Sequence, residues 1–176
     1  MSNNTNNYFE LFGLSSKFNI DANKLESNFR KIQSESHPDR FVIAEPAEKL
    51  KSMQLAILAN EAYQTLKHPA NRAKYLLEQH GITAISETNT AMPTDFLMQQ
   101  MEWREVLEVA KVAKDLGALD VLHNEIKQEA KALNTELISL IDDKNDYTAA
   151  TASTRKLIFI DKVSIDINKA IEQIEN

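Results

Sequence analysis

The sequence predicts an all-α protein built from two helical modules, and three observations carry that expectation. Only 3 glycines and 4 prolines in 176 residues leave little material for the tight turns of a β-protein. Alternating β-branched runs are scarce, whereas apolar residues recur at three- and four-residue steps along most of the chain. Hydrophobic residues make up 43% and charged residues 26%, an ordinary balance for a folded chain, and the length suits one large domain or two small ones.

The segment YFELFGL, residues 8–14, is short and aromatic. Asp21 is a good N-cap for a helix whose apolar positions Leu25, Phe29 and Ile32 fall at i, i+4 and i+7. That helix has to stop before Pro38, because proline lacks the N–H that the ladder needs and pushes His37 out of the α region. A long helix is expected from Pro46, through Leu50, Met53, Ile57, Asn60 and Tyr63, to Leu66, with Pro69 closing it. A shorter one over 70–80 ends at Gly81, which is free to take a left-handed C-cap. Two antiparallel helices thus meet across a His-Pro-Asp corner, inside a small N-terminal bundle.

Residues 82–94, ITAISETNTAMPT, lack helical periodicity and read as a connector. Three helices follow over 95–116, ending at Gly117, then 119–141 and 146–174. The middle one repeats Leu119, Leu122, Ile126, Leu133, Leu137 and Leu140, with Ala130 filling the gap, and the last carries Leu157, Ile160, Ser164, Ile167, Ile171 and Ile174 on one stripe. Short connections make these antiparallel neighbours in a three-helix bundle. The expected organisation is therefore an N-terminal domain over 1–81, a linker over 82–94 and a C-terminal bundle over 95–176.

On a wheel of about 100° per residue, the first helix of that bundle has two apolar faces. Phe96, Trp103, Val106, Leu107, Ala110 and Ala113 share one side. Leu97, Met98 and Met101 cluster on roughly the opposite side, flanked by Glu102 and Glu105. A bundle helix buries one face, so the second is either covered by the N-terminal domain or is a partner surface, and both can hold at once. Methionine suits an adaptable binding face, and the glutamates add charge selectivity. Phe159 lies about 100° from the centre of the last helix's stripe, either at the margin of the core or as an extension of the partner surface.

Composition excludes several classes of function. A net charge of −6 opposes binding to nucleic-acid backbones. No run approaches the ~18 apolar residues of a membrane span. The opening MSNNTNN has neither the order of a secretory signal nor the arginines of a transit peptide, so a cytoplasmic location is expected. With no cysteine there is no disulfide, thiolate nucleophile or cysteine-built metal site. No cofactor or metal is expected.

The His-Pro-Asp corner has a catalytic reading, with His37 as general base oriented by Asp39 or Glu35. That needs a substrate pocket and a third positioning group, and the sequence supplies neither, nor any phosphate cradle, GxSxG or HExxH. His68, His80 and His123 are scattered. A purely structural turn is a second reading, although Asp or Ser with Gly makes a simpler one. The third is a handle for another protein, in which Asp39 accepts a bidentate arginine and Pro38 holds it beside the imidazole.

HPD between two helices resembles the signature of J-domains, the co-chaperone modules that stimulate ATP hydrolysis by DnaK-type chaperones. The context agrees: YFELFGL is similar to that family's opening segment, FRKI to its YRKL-like helix and NEAYQTL to its NEAYxxL stretch. KHPANRAKYLLEQHG resembles the HP-x-x-RA-x-YLL-x-x-HG run of the HscB family, the J-proteins of iron–sulfur cluster assembly. FLMQQMEWREVL and TRKLIFIDKV resemble further HscB segments, so the likeness runs from Tyr8 to the C-terminal helix. The Gly/Phe-rich linker and cysteine-rich zinc region of the DnaJ type are missing.

The resemblance implies a regulator without an active site of its own. Its J-domain would engage the DnaK-type chaperone HscA through His37, Pro38, Asp39 and Arg40, with Lys24, Arg30 and Lys31 of the preceding helix assisting. Its C-terminal bundle would bind the cluster scaffold protein IscU through Leu97, Met98, Met101, Glu102, Glu105 and Phe159. Ser34, Glu35 and Ser36 stand where the family carries positive charge next to the triplet, and Arg40 replaces its usual lysine. A general J-domain co-chaperone, delivering unfolded clients to a DnaK-type chaperone, is the alternative.

Overall fold

The computed structural model describes residues 7–86 and 91–176. Among them are seven α-helices and no strand, so the chain is all-α. It divides into two compact units at the Leu76–Leu77 bond.

In the first unit, α1 (Tyr8–Leu11) leads to α2 (Ala22–Glu35), a 3-10 turn (Pro38–Phe41), α3 (Pro46–Lys67) and α4 (Pro69–Gln79), within which the division falls. Asp21 caps α2 as expected, its side chain accepting from the Lys24 N–H. Helices α2 and α3 pack along each other, with Phe29 stacked on Tyr63 at 4.0 Å between ring centroids. The inward residues of α3 are Ser52, Ala59, Ala62 and Leu66, while Leu50, Met53 and Ile57 face solvent. Small residues there leave room for the aromatic side chains brought by α1 and α2: Phe9, Phe12 and Phe29 are all buried.

Arg72 of α4 closes this core. Its Nε donates to the Phe18 carbonyl and its Nη1 to the Leu66 carbonyl, each at 2.7 Å, with the guanidinium 4.8 Å over the Phe18 ring.

The second unit is a three-helix bundle of α5 (Thr94–Ala113), α6 (Leu116–Leu137) and α7 (Tyr147–Glu175), with a π-helical turn over Ile138–Asp143 extending α6. Leu119, Leu122, Ile126, Leu133 and Leu137 are buried as the spacing predicts, as are Leu157, Ile160 and Ile167; Leu140, Ile171 and Ile174 are half-buried. Trp103 is buried on α5, and its Nε1 donates to Glu125 Oε1 at 2.8 Å.

Two local expectations are corrected, and one residue that the sequence pattern does not single out joins a buried face. The first bundle helix ends at Ala113 rather than at Gly117, because Lys114 takes the left-handed conformation (φ 51°) and Asp115 caps α6, accepting from the Ala118 N–H at 3.0 Å. Gly117 consequently sits in the first turn of α6. Val106 and Ala113 are exposed, not core; on the wheel they stand about 70° and 90° from the mean direction of Phe96, Trp103, Leu107 and Ala110. Finally, Gln100 takes a place in the buried face of α5.

The expected connector is described only in part, residues 87–90 lying outside the described residues. Ala84 is buried, and Arg155 of α7 donates to the Ala84 carbonyl through Nε and to the Ala91 carbonyl through Nη1 at 3.2 Å. One arginine therefore ties both described flanks of this stretch to the bundle.

Candidate partner-binding surfaces

Helix α2 ends where the sequence requires. Ser36 is the C-cap, and its N–H and hydroxyl both return to the Ile32 carbonyl, at 2.9 and 2.7 Å. Its own carbonyl accepts from the buried Ser52 hydroxyl of α3 at 2.8 Å. The corner that follows is thus fastened to α3 one residue before His37.

His37 is extended (φ −63°, ψ 134°), as a residue before proline should be, and Pro38 opens the 3-10 turn. The His37 Nδ1 accepts from the Asp39 N–H at 3.3 Å, which leaves Nε2–H as the outward donor. Asp39 Oδ2 lies 3.6 Å from that Nδ1, beyond hydrogen-bond distance, and the Asp39 side chain is 89% exposed. An open, rigidly mounted carboxylate is suited to a guanidinium from another molecule. Arg40 Nη1 points back to the Ser34 carbonyl at 3.5 Å.

Lys24, Arg30 and Lys31 are exposed on α2. Arg30 pairs with Glu26 at 2.6 Å, an exposed i,i+4 pair of small energetic value that shares the cation with a carboxylate.

A groove of about 510 Å³ opens beside the corner, lined by Pro38, Phe41 and Val42 and by Lys49, Met53 and Ile57 of α3. Ile43, on the loop next to it, is 99% exposed. Sequence reasoning did not identify this groove; its signal is the i, i+3, i+7 stripe of Leu50, Met53 and Ile57, which the fold turns outward.

In the second unit, Leu97, Met98, Met101, Glu102 and Glu105 are all exposed on α5, within an arc of about 140° on the wheel. Phe159 of α7 is half-buried, edge-on to Phe96 with centroids 6.2 Å apart. The Arg104 guanidinium lies 5.4 Å over the Phe159 ring, on the Leu97 side of the helix by the same wheel. Phe159 shares a cleft with Arg104, Leu107 and Glu108, whereas Glu102 and Glu105 line a cleft with Asp115 and Ala118 at the start of α6, so the arc runs across the outer face of α5 with Phe159 beyond its Leu97 edge. The structure also continues the apolar arc to Val109 and Val112, both exposed, which the sequence reading did not single out although they follow Met98 and Met101 by eleven residues in register.

Among the described residues, no cluster of three or more His, Asp or Glu is arranged to hold a metal ion, and no helix is long and apolar enough to cross a membrane.

Comparison with known proteins agrees with this architecture. Residues 92–168 match the family described as the HSCB C-terminal oligomerisation domain. The co-chaperone protein HscB homolog of Burkholderia thailandensis is 47% identical over 169 residues, covering 96% of both chains. Among solved structures, chaperone HscB from Vibrio cholerae is 36% identical with a TM-score of 0.83, covering 96% of this chain and 99% of that one. Human co-chaperone protein HscB is 27% identical with a TM-score of 0.85, covering 99% and 86%. By sequence over nearly its whole length and by fold, the chain belongs to the HscB family of co-chaperones.

Proposed function

We propose that this co-chaperone serves iron–sulfur cluster assembly in the cytoplasm, binding the scaffold protein IscU and delivering it to the DnaK-type chaperone HscA, whose ATP hydrolysis it stimulates. The observation that carries the reading is the exposed His37-Pro38-Asp39 corner, bolted to α3 yet free at its carboxylate. Residues 1–81 act as the J-domain, 82–94 as the linker and 95–176 as the scaffold-binding bundle.

In this reading Asp39 receives an arginine of HscA, while Lys24, Arg30, Lys31 and Arg40 steer the encounter with an acidic chaperone surface. The arc of Leu97, Met98, Met101, Glu102 and Glu105, with Phe159, holds IscU. One molecule holding both partners raises the local concentration of scaffold at the chaperone, an effect of linkage that needs no chemistry from this chain. ATP is hydrolysed by the partner, and this chain favours the chaperone's hydrolysis-competent conformation.

The test is steady-state ATP hydrolysis by HscA with IscU, adding the intact chain or its His37→Gln variant. Stimulation by the intact chain that is lost in the variant is expected. No stimulation by the intact chain, or full stimulation by the variant, contradicts the proposal.

A further inference from the structure

Peroxide chemistry on this chain falls on methionine. Cysteine is absent, which removes the usual first target and leaves the thioether as the most readily oxidised side chain. The fold also sorts its methionines: among the described residues Met53, Met98 and Met101 are exposed, Met92 is half-buried, and none is buried in either core. Of these, Met98 and Met101 are 60% and 71% exposed, on adjacent turns of the α5 arc that also carries Leu97, Glu102 and Glu105.

We propose that Met98 and Met101 form a reversible oxidation site through which peroxide releases the scaffold protein from α5. The inference rests on the reading of this arc as the scaffold-docking surface. In the forward step the thioether sulfur attacks one peroxide oxygen, the O–O bond breaks and an S–O bond forms. Hydrogen peroxide is reduced to water as the thioether is oxidised to the sulfoxide. In the return step two thiols of a methionine sulfoxide reductase become a disulfide, the sulfoxide loses its oxygen as water, and the thioether is restored.

The consequence is a polar oxygen where an apolar contact has to be buried. A sulfoxide accepts hydrogen bonds, and the neighbouring Glu102 and Glu105 carboxylates, when ionised, are acceptors as well. They oppose the new dipole instead of satisfying it, so docking would bury it at a cost. Because both side chains lie outside the core, the same oxidation leaves the bundle folded.

The experiment treats the full chain with hydrogen peroxide, removes the oxidant with catalase, confirms sulfoxide at Met98 and Met101 by peptide mass spectrometry, and then titrates unoxidised IscU by calorimetry. Oxidation is expected to weaken binding by about tenfold or more, with an unchanged thermal midpoint and recovery after sulfoxide reductase. Met98→Leu/Met101→Leu, compared with its own untreated baseline, should show a treated-to-untreated ratio near one. The proposal is overturned if chain oxidised at both positions binds as well as untreated chain, if these methionines resist peroxide that oxidises free methionine, or if the double variant loses binding on treatment as the wild type does. Failure of the untreated wild type to bind IscU is a separate result, which overturns the docking reading and this inference with it.

Discussion

The Ser52 hydroxyl donates to the Ser36 carbonyl at 2.8 Å, a buried bond between residues sixteen apart that sets the position of the His37 corner on α3. Ser52→Ala removes the donor and leaves that carbonyl buried. The expected cost is about 1–3 kcal/mol of unfolding free energy, read by urea denaturation. Stimulation of the chaperone should fall as well, although no residue of the triplet has changed.

Arg72 offers a test of the first unit's interior. It bonds the Phe18 and Leu66 carbonyls and lies over the Phe18 ring. An ammonium cannot reproduce that fork, so Arg72→Lys should destabilise by about 1.5–3 kcal/mol. Chemical denaturation of the full chain checks it, and a cost below half a kcal/mol would contradict the clamp.

The end of α5 can be settled with glycine. Lys114 has φ 51°, a conformation that glycine adopts without the Cβ penalty, so Lys114→Gly should stabilise by about 0.5–1 kcal/mol. Gly117 lies in the first turn of α6, and a Cβ there meets Asp115 Oδ1 at 3.4 Å, an ordinary contact. Gly117→Ala should therefore also stabilise, by about 0.5–1 kcal/mol. A C-cap glycine at 117 would give the opposite sign.

That pair of residues marks where sequence periodicity stops being informative. The repeats at Leu119–Leu137 and Leu157–Ile167 identify α6 and α7, because a buried stripe has to recur at helical spacing. The break between α5 and α6 depends instead on competition between a glycine C-cap and the Asp115 side chain, and Asp115 wins by satisfying the Ala118 N–H. Likewise, His37-Pro38-Asp39 and the Leu97–Met101 arc are legible as residue patterns. The groove beside Pro38 is not, since Leu50, Met53 and Ile57 form an apolar stripe whose outward orientation follows from which aromatic side chains α3 packs against.

Exposure of the α5 arc separates binding from stability. Leu97 is 43% exposed, and Met101 more so. Leu97→Ala with Met101→Ala should leave unfolding free energy within about 0.5 kcal/mol per site, while weakening IscU binding by about tenfold or more. Calorimetry and thermal unfolding on the same preparation distinguish this from a buried, structural role, which would lower the melting temperature instead.

The His37-Pro38-Asp39 corner and the α5 arc are proposed to work because one molecule carries both. The direct measurement compares HscA ATPase stimulation, at limiting IscU, by the intact chain and by an equimolar mixture of Asp39→Asn chain, which keeps the scaffold surface, with Leu97→Ala/Met101→Ala chain, which keeps the corner. The mixture should stay well below the intact chain at equal total concentration. A mixture that matches it would mean that the corner and the α5 arc act independently, and the delivery mechanism would be wrong.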